Sequence, residues 1–368
     1  MSIRLPTDEP VGTLEVVHRF RGPMPTGVTV SHRGRIFISF PRWGDEVPAT
    51  VVELRRGREL PYPDLRRNTP SGNDDPAAFV SVQSVVVDPA DRLWAVDTGS
   101  PMFAPTVPGG PKLVRIDLGT DTVEQVITFP PDVVLPTSYL NDVRFDLRRG
   151  VAGLAYLTDS ADGAPNAVIV VDLATGASWR RLNDHPSTKA QPLSEFRPVV
   201  EGRPFMVRPV DGPAQPVGVG ADGIAISADG TRLYYCALAS RRWYSVATDA
   251  LADPALGADE VAATVIDEGD KGGGADGLES DDAGRLYLTN YEHNAVLRRL
   301  PDGSYETVLH DPRLLWPDTL SVATDRHLYV IANQVHRQPP FNRGRDLRRK
   351  PYALVRTRID AGPVLLRP

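Results

Sequence analysis

The chain has 368 residues, 41% of them hydrophobic and 24% charged, with a net charge of −6. That length and apolar content can build a sizeable core, and the acidic balance argues against nucleic acid as the main partner. A single cysteine, Cys236, excludes an internal disulfide, and no stretch is long and apolar enough to span a bilayer.

The amino terminus, "MSIRLPTDEP", has no apolar leader core, so the expectation is a soluble protein of the reducing cytoplasm. Thirty-five prolines and 31 glycines are spread along the chain, which suits short strands joined by many turns. The first apolar segment is "TLEVVHRF" (13–20), and six related units follow it. They are "TGVTVSHRGRIFISF" (26–40), "QSVVVDPADRLWAVD" (83–97), "NDVRFDLRRGVAGLAYLTD" (141–159), "ADGIAISADGTRLYYCA" (221–237), "ADGLESDDAGRLYLTN" (275–290) and "DTLSVATDRHLYVIAN" (318–333).

In each unit a polar residue opens a first strand and a small or acidic residue closes it five positions later. The pairs are Thr26/Ser31, Gln83/Asp88, Asn141/Asp146, Asp222/Ser227, Asp276/Asp281 and Asp318/Ala323. A turn leads to a second strand with an aromatic at a fixed place, then to a third strand such as "KLVRIDLGT" or "WYSVATDAL". Four units show a fourth, more polar strand; the sixth has no room for one, and "TLEVVHRF" resembles the missing piece. The fold class is therefore all-β, a six-bladed β-propeller of four-stranded blades whose ring is closed by the N-terminal strand. The opening residues are spaced 57, 58, 81, 54 and 42 apart, and the long interval marks an insertion at 183–212. No composition break divides the chain, so 1–368 reads as one domain.

Antiparallel pairing places the start of a first strand beside the end of the second. The six opening residues therefore meet at one mouth of the channel, joined by Asp97, Asp159, Asn290 and Asn333 and by loops carrying Trp43, His293 and His336. The insertion should emerge at the same mouth, as a lid. The fixed aromatics and Cys236 read as packing residues, Asp88, Asp146 and Asp281 as turn-bonding residues, and Asp97 and Asp159 equally as ligands or strand-end caps. The basic run "RGRDLRRK" (343–350) reads as a solvated loop.

"KGGGADGLESDDAGRLYLTN" (271–290) fails as a phosphate loop, lacking Lys-Ser/Thr and a following helix, and fails as an EF-hand, lacking the ligand ladder. Its Asp276 is the informative residue. With Asp222 and Asp318 in neighbouring blades, and Asn141 in the blade before, it forms an acidic ring. Carboxylates that close raise one another's pKa unless a cation lies between them. The residues leave three readings open: a hard metal ion, a proton used in acid–base chemistry, or the ammonium group of a ligand.

"SVQSVVVDPADRLWAVDTG", "NYEHNAVLRRL" and above all "DPRLLWPDTLSV" followed by "LYVIANQVHR" resemble the yellow/major royal jelly protein family, from about Arg35 to Arg358. The resemblance implies a six-bladed propeller whose relatives include dopachrome-converting isomerases and binders of biogenic amines. A more distant likeness runs to the senescence-marker/gluconolactonase propellers, which hold a divalent ion. Matched residue by residue, their "DG" Asp falls on Asp276, their "SNG" Asn on Asp222 and the substrate-contacting Asn on Asn141. Their first-blade Glu has no counterpart among Pro25, Thr26 and Gly27.

The leading expectation is a small-molecule enzyme that isomerises, tautomerises or cyclises a cyclic or aromatic metabolite and requires no cofactor. Asp276, Asp222 and Asp318 are its candidate catalytic groups, with His336 or His293 assisting and Trp43 or Trp316 flanking the substrate. Asn141, Gln83, Asp97, Asp159, Asn290 and Asn333 complete the candidate ligand contacts. One alternative is a lactonase holding Ca²⁺, Mg²⁺ or Mn²⁺ on Asp222, Asp276, Asp318 and Asn141. The other is a non-catalytic binder of amines or aromatic molecules.

Overall fold

The computed structural model describes residues 5–69 and 75–368. Its strands form six four-stranded antiparallel sheets in consecutive order around a ring. Blade one runs from Val28–Val30 to Arg58–Pro61, blade two from Val82–Val87 to Thr122–Thr128, and blade three from Leu140–Asp146 to Ser178–Arg181. Blade four runs from Ala221–Ile226 to Ile266–Asp270, and blade five from Leu278–Ser280 to Tyr305–His310. Blade six takes Pro317–Val322, His327–Ala332 and Tyr352–Arg358 from the end of the chain and Glu15–Phe20 from its start. The closing register pairs Glu15 with Arg356 and Phe20 with Tyr352.

Two details differ from the sequence expectation. All five of the first blades have a fourth strand of their own. In blade four the third strand stops at Ala247, and "TDALA" becomes a short helix, Thr248–Ala252, followed by a second helix, Ala258–Ala262. Alanine and leucine favour that helix once the segment leaves the ladder.

The core lies between blades. Six apolar clusters fill the spaces between neighbouring sheets. Trp94 of blade two packs on Phe145 of blade three with ring centroids 5.3 Å apart, and fully buried Cys236 packs with Trp243 and Leu278 between blades four and five. Burial pushes its thiol up to about 11, so it is a core filler and no nucleophile at neutral pH. The closing acids act as read: Asp88 accepts from the backbone N–H groups of Ala90 and Arg92, and also from the Trp94 indole.

The segment after blade three holds two small hairpins, Val199–Val200 with Arg203–Pro204 and Met206–Val207 with Gln215–Pro216. At the opposite end, the C-terminal tail crosses the channel, where Pro363 bridges to Asp281 and the Leu366 carbonyl accepts from Leu147 N–H. Pro363, Val364 and Leu365 lie there against Val30, Val87, Glu279 and Ser321 of the innermost strands. The channel is therefore open to one side and plugged at the other.

Candidate functional site at the open mouth

Strand geometry brings the polar openings together. In blades two, three, four and six the first-strand register slips at the opening residue, between Val82/Ser84, Leu140/Val143, Ala221/Ile224 and Pro317/Leu320. Each slip is a β-bulge, which inserts an extra residue and re-aims side chains. In blades two, three and six it accompanies an opening residue and a residue three further on that both line the channel. The deeper layer is Thr29, Val86, Arg144, Glu279 and Ser321.

Blades also approach very closely. A Cβ on Gly277 would lie 2.3 Å from the Asp318 carbonyl oxygen, and one on Gly223 would lie 2.5 Å from that of Asp276. The "DG" pairs thus combine a carboxylate for the channel with the only side chain that lets the next blade pack there.

The upper layer faces a cavity of about 620 Å³ whose lining includes Asp222, Asp276, Asp318, Asn141, Gln83 and Trp43. All six were expected at the mouth. Asp276 Oδ2 accepts the Trp316 indole N–H at 2.6 Å. Asp318 accepts from the Asn333 amide and the Thr319 hydroxyl. Asp222 Oδ1 is buried with no hydrogen-bond partner. Burial raises all three carboxyls. Asp222 is pushed well up by burial and then by Asp276, Asp318 and Asp142; Asp318 is pushed well up by burial and by Asp276. Asp276 rises to about 7, burial outweighing the stabilising Trp316 N–H.

Beneath them, Arg144 donates to Asp142 at 2.8 Å and to the Leu278 carbonyl, and lies 3.5 Å from Glu279. The one cation at the channel floor is thus already occupied, leaving the upper carboxyls without a cationic partner among the described residues.

The wall is aromatic. Trp43 donates to the Tyr139 hydroxyl at 2.8 Å, which donates in turn to Gln83 Oε1 at 3.0 Å. Phe103 packs against both rings, 5.0 Å from Trp43 and 4.8 Å from Tyr139. It remains 59% exposed, and both it and Met102 hold a left-handed backbone, with φ of 57° and 58°. Such strain persists only where surroundings impose it and clusters at ligand sites. Val207 of the insertion, Val217 and Val219 of the segment that leads from it into blade four, and Phe341 of the last blade's loop cover the remaining side. Tyr139, Phe103 and Phe341 were not foreseen. Tyr139 stands two residues before Asn141 and was findable from the repeat, whereas the two phenylalanines lie in loops with no repeat signal.

Seven expected residues do not line this cavity. Asp97 caps Val80 N–H and Ser81 N–H and pairs with buried Lys112 at 3.1 Å; Asp159 caps Tyr139 N–H and pairs with Arg180 at 2.7 Å. Both are strand-end caps that pin the chain entering their own blade. Asn290 likewise bonds the Gly272 carbonyl and His293 Nδ1, which keeps both side chains in the loop. Asn333 reaches the Pro25 carbonyl as well as Asp318, and so acts behind the carboxylate. Trp316 is fully buried, stacked 4.2 Å from Tyr291 on one face and 5.6 Å from His336 on the other. It positions Asp276 and does not flank a ligand. His336 is held behind that stack by Glu201, 2.8 Å from its Nε2, which removes it from the carboxyl cavity.

The lactonase alternative needs these side chains to surround a divalent ion. Calcium draws on about six to eight oxygens. Among the described residues no three His, Cys, Asp or Glu side chains are placed to hold a metal. One oxygen each of Asp276 and Asp318 is turned to an N–H donor.

Fold and site together define a six-bladed propeller with a cavity lined by acids and aromatics at one end of its channel. The family model described as "Major royal jelly protein" matches residues 80–361, so the chain belongs to that family. It is 27% identical to protein yellow of Drosophila melanogaster over 339 residues, covering 85% of this chain and 58% of that protein. Among solved structures it resembles XC5397 from Xanthomonas campestris, described as a gluconolactonase, with a TM-score of 0.56, 13% identity and coverage of 94% and 89% of the two chains. It also resembles a streptogramin B lyase, with a TM-score of 0.52, 11% identity and coverage of 95% and 98%. Its propeller neighbours thus include enzymes that act on small molecules.

Proposed function

We propose that the chain is a small-molecule enzyme that moves protons on a cyclic or aromatic metabolite, an isomerisation, tautomerisation or cyclisation. The observation that carries this reading is the unpartnered, buried Asp222 Oδ1 beside Asp276 and Asp318 in an aromatic-walled cavity. A group with a pKa near 7 exchanges protons most effectively at neutral pH, and Asp276 lies there. Ionised Asp276, its Oδ2 held by Trp316, takes a proton from the ring through Oδ1. Protonated Asp222 or Asp318 returns one at a second position, so the substrate's composition is unchanged. Asn141, whose side chain makes no hydrogen bond to the described protein, orients a polar substituent, while Trp43, Phe103 and Tyr139 hold the ring plane. No metal is part of this scheme.

Screening cyclic and aromatic substrates by ultraviolet absorbance, in excess chelator, tests the proposal. Asp276→Asn keeps the shape and removes the base, so turnover should fall by about 10²–10⁴-fold. Undiminished turnover in that variant excludes Asp276 as the base.

A second reading is favoured by the Trp43–Phe103–Tyr139 wall standing over carboxyls: an aromatic amine held without chemistry. It predicts saturable amine binding by calorimetry, with no change in the bound molecule.

A further inference from the structure

The basic run 343–350 is not simply a solvated loop. Arg348 is nearly buried, its side chain 7% exposed, and is clamped by Asp45 at 2.7 Å and by Asp346 at 2.7 Å. That clamp folds the run back over the mouth and helps close a second cavity of about 480 Å³ between it and the Glu201–Phe205 side of the insertion. Five arginines line this cleft, Arg203, Arg208, Arg337, Arg348 and Arg349, against two carboxylates, Glu201 and Asp346.

The carboxylates are already committed. Glu201 is bonded by Arg337 at 2.5 Å and by His336 at 2.8 Å, and Asp346 by Arg348. Arg203, Arg208 and Arg349 make no ion pair among the described residues. Arg208 is half-buried and spends donors on the Met206 and Pro204 carbonyls, which fixes its guanidinium in place. Burial, with Arg203 and Arg343 nearby, pushes that guanidinium below its ordinary range. Like charges gathered along one cleft repel one another unless an anion joins them. The contrast with a chain of net charge −6 makes the concentration more telling.

We propose that this cleft is a second ligand site, which holds the oxyanion of a small molecule, a carboxylate or a phosphate. Planar guanidinium groups present paired N–H donors that match both groups. The cleft adjoins the carboxyl cavity, because Phe341 lines both. The two sites are opposite in character, one lined by acids and aromatics and the other by arginines, so they select different chemical groups.

Isothermal titration calorimetry at low ionic strength, with inorganic phosphate and with succinate as separate probes, tests this. Saturable one-to-one binding of at least one probe is expected, and the probe that binds assigns the oxyanion. The exposed pair Arg203→Gln/Arg349→Gln should weaken it at least tenfold while far-ultraviolet circular dichroism and thermal midpoint stay unchanged. Asp276→Asn should leave it intact. Heats without saturation for both probes, or equal affinity in the arginine variant, overturn the proposal. Loss of binding in Asp276→Asn overturns it as well, by moving the anion to the other cavity.

Discussion

Asp222, Asp276 and Asp318 are unusual as residues because each is buried while its ionised form has little to offset it. A carboxyl whose folded pKa lies above its unfolded value keeps a proton that the unfolded chain releases. Stability is then fully present below about pH 4, the unfolded value, and is lost as pH rises through the folded one. Asp276, raised to about 7, places that loss between about pH 4 and 7, and Asp222 is raised in the same direction. Asp222→Asn cannot ionise. It should unfold later than the parent at about pH 8, by at least ~1 kcal/mol, and show a shallower pH dependence in urea melts. Trp316 works on Asp276 from the other side, since its N–H favours the ionised form. Trp316→Phe keeps the stack, whose backbone φ of 59° already marks a constrained position, and removes the donor. The acid limb of the pH–rate profile should then move to higher pH; an unmoved limb would show that Trp316 does not tune Asp276.

At the scale of the element, the bulged first strand explains why the opening residue and the third residue after it share a face. Regular alternation would have turned every second side chain inward. Asn141 and Arg144 are both in the channel for this reason, and so are Asp318 and Ser321. The glycine after the aspartate has a separate duty. Gly277→Ala drives a methyl into the Asp318 carbonyl, at 2.3 Å, so that one strand must shift. It should cost about 1–3 kcal/mol in stability and reduce turnover further than the melt alone explains, because Asp318 moves with its backbone. Gly22→Ala is the control, with nothing within 4 Å of the added carbon. The periodic units made the strands and the ring of openings legible, but a bulge has no composition of its own. Asp142 and Arg144 therefore stayed unread although they stand in the same repeat.

For the whole molecule, closure of the ring by Glu15–Phe20 ties the two ends of the chain into one sheet. Removing residues 1–20 takes away fully buried Phe20 and exposes Tyr352–Arg358 as an unpaired edge. A large buried aromatic is worth about 3–5 kcal/mol, and a bare edge strand invites pairing between chains. The truncated protein should melt earlier by that order and aggregate during the melt, as light scattering would show. Equal stability would mean that the last blade does not need its borrowed strand. The plug at 363–366 and the covering insertion belong to this scale too, since together they make the channel a pocket with one open end.

Repeats, spacing and residue type were enough to read a six-bladed ring, its closing strand and the meeting of Asp222, Asp276 and Asp318 at one mouth. Each of these follows from local periodicity, and a repeat carries it wherever it recurs. Whether a polar side chain at that mouth faces the cavity or the backbone was settled by packing. Asp97 and Asp159 have the same composition as Asp222, yet buried Lys112 and Arg180 turn them into caps. His336 lies behind Trp316 because Glu201, 135 residues away in the chain, holds its ring there. Partners supplied from distant segments leave no mark near the residue they control, and the arginine cleft arises in the same way, from the insertion and a late loop brought face to face.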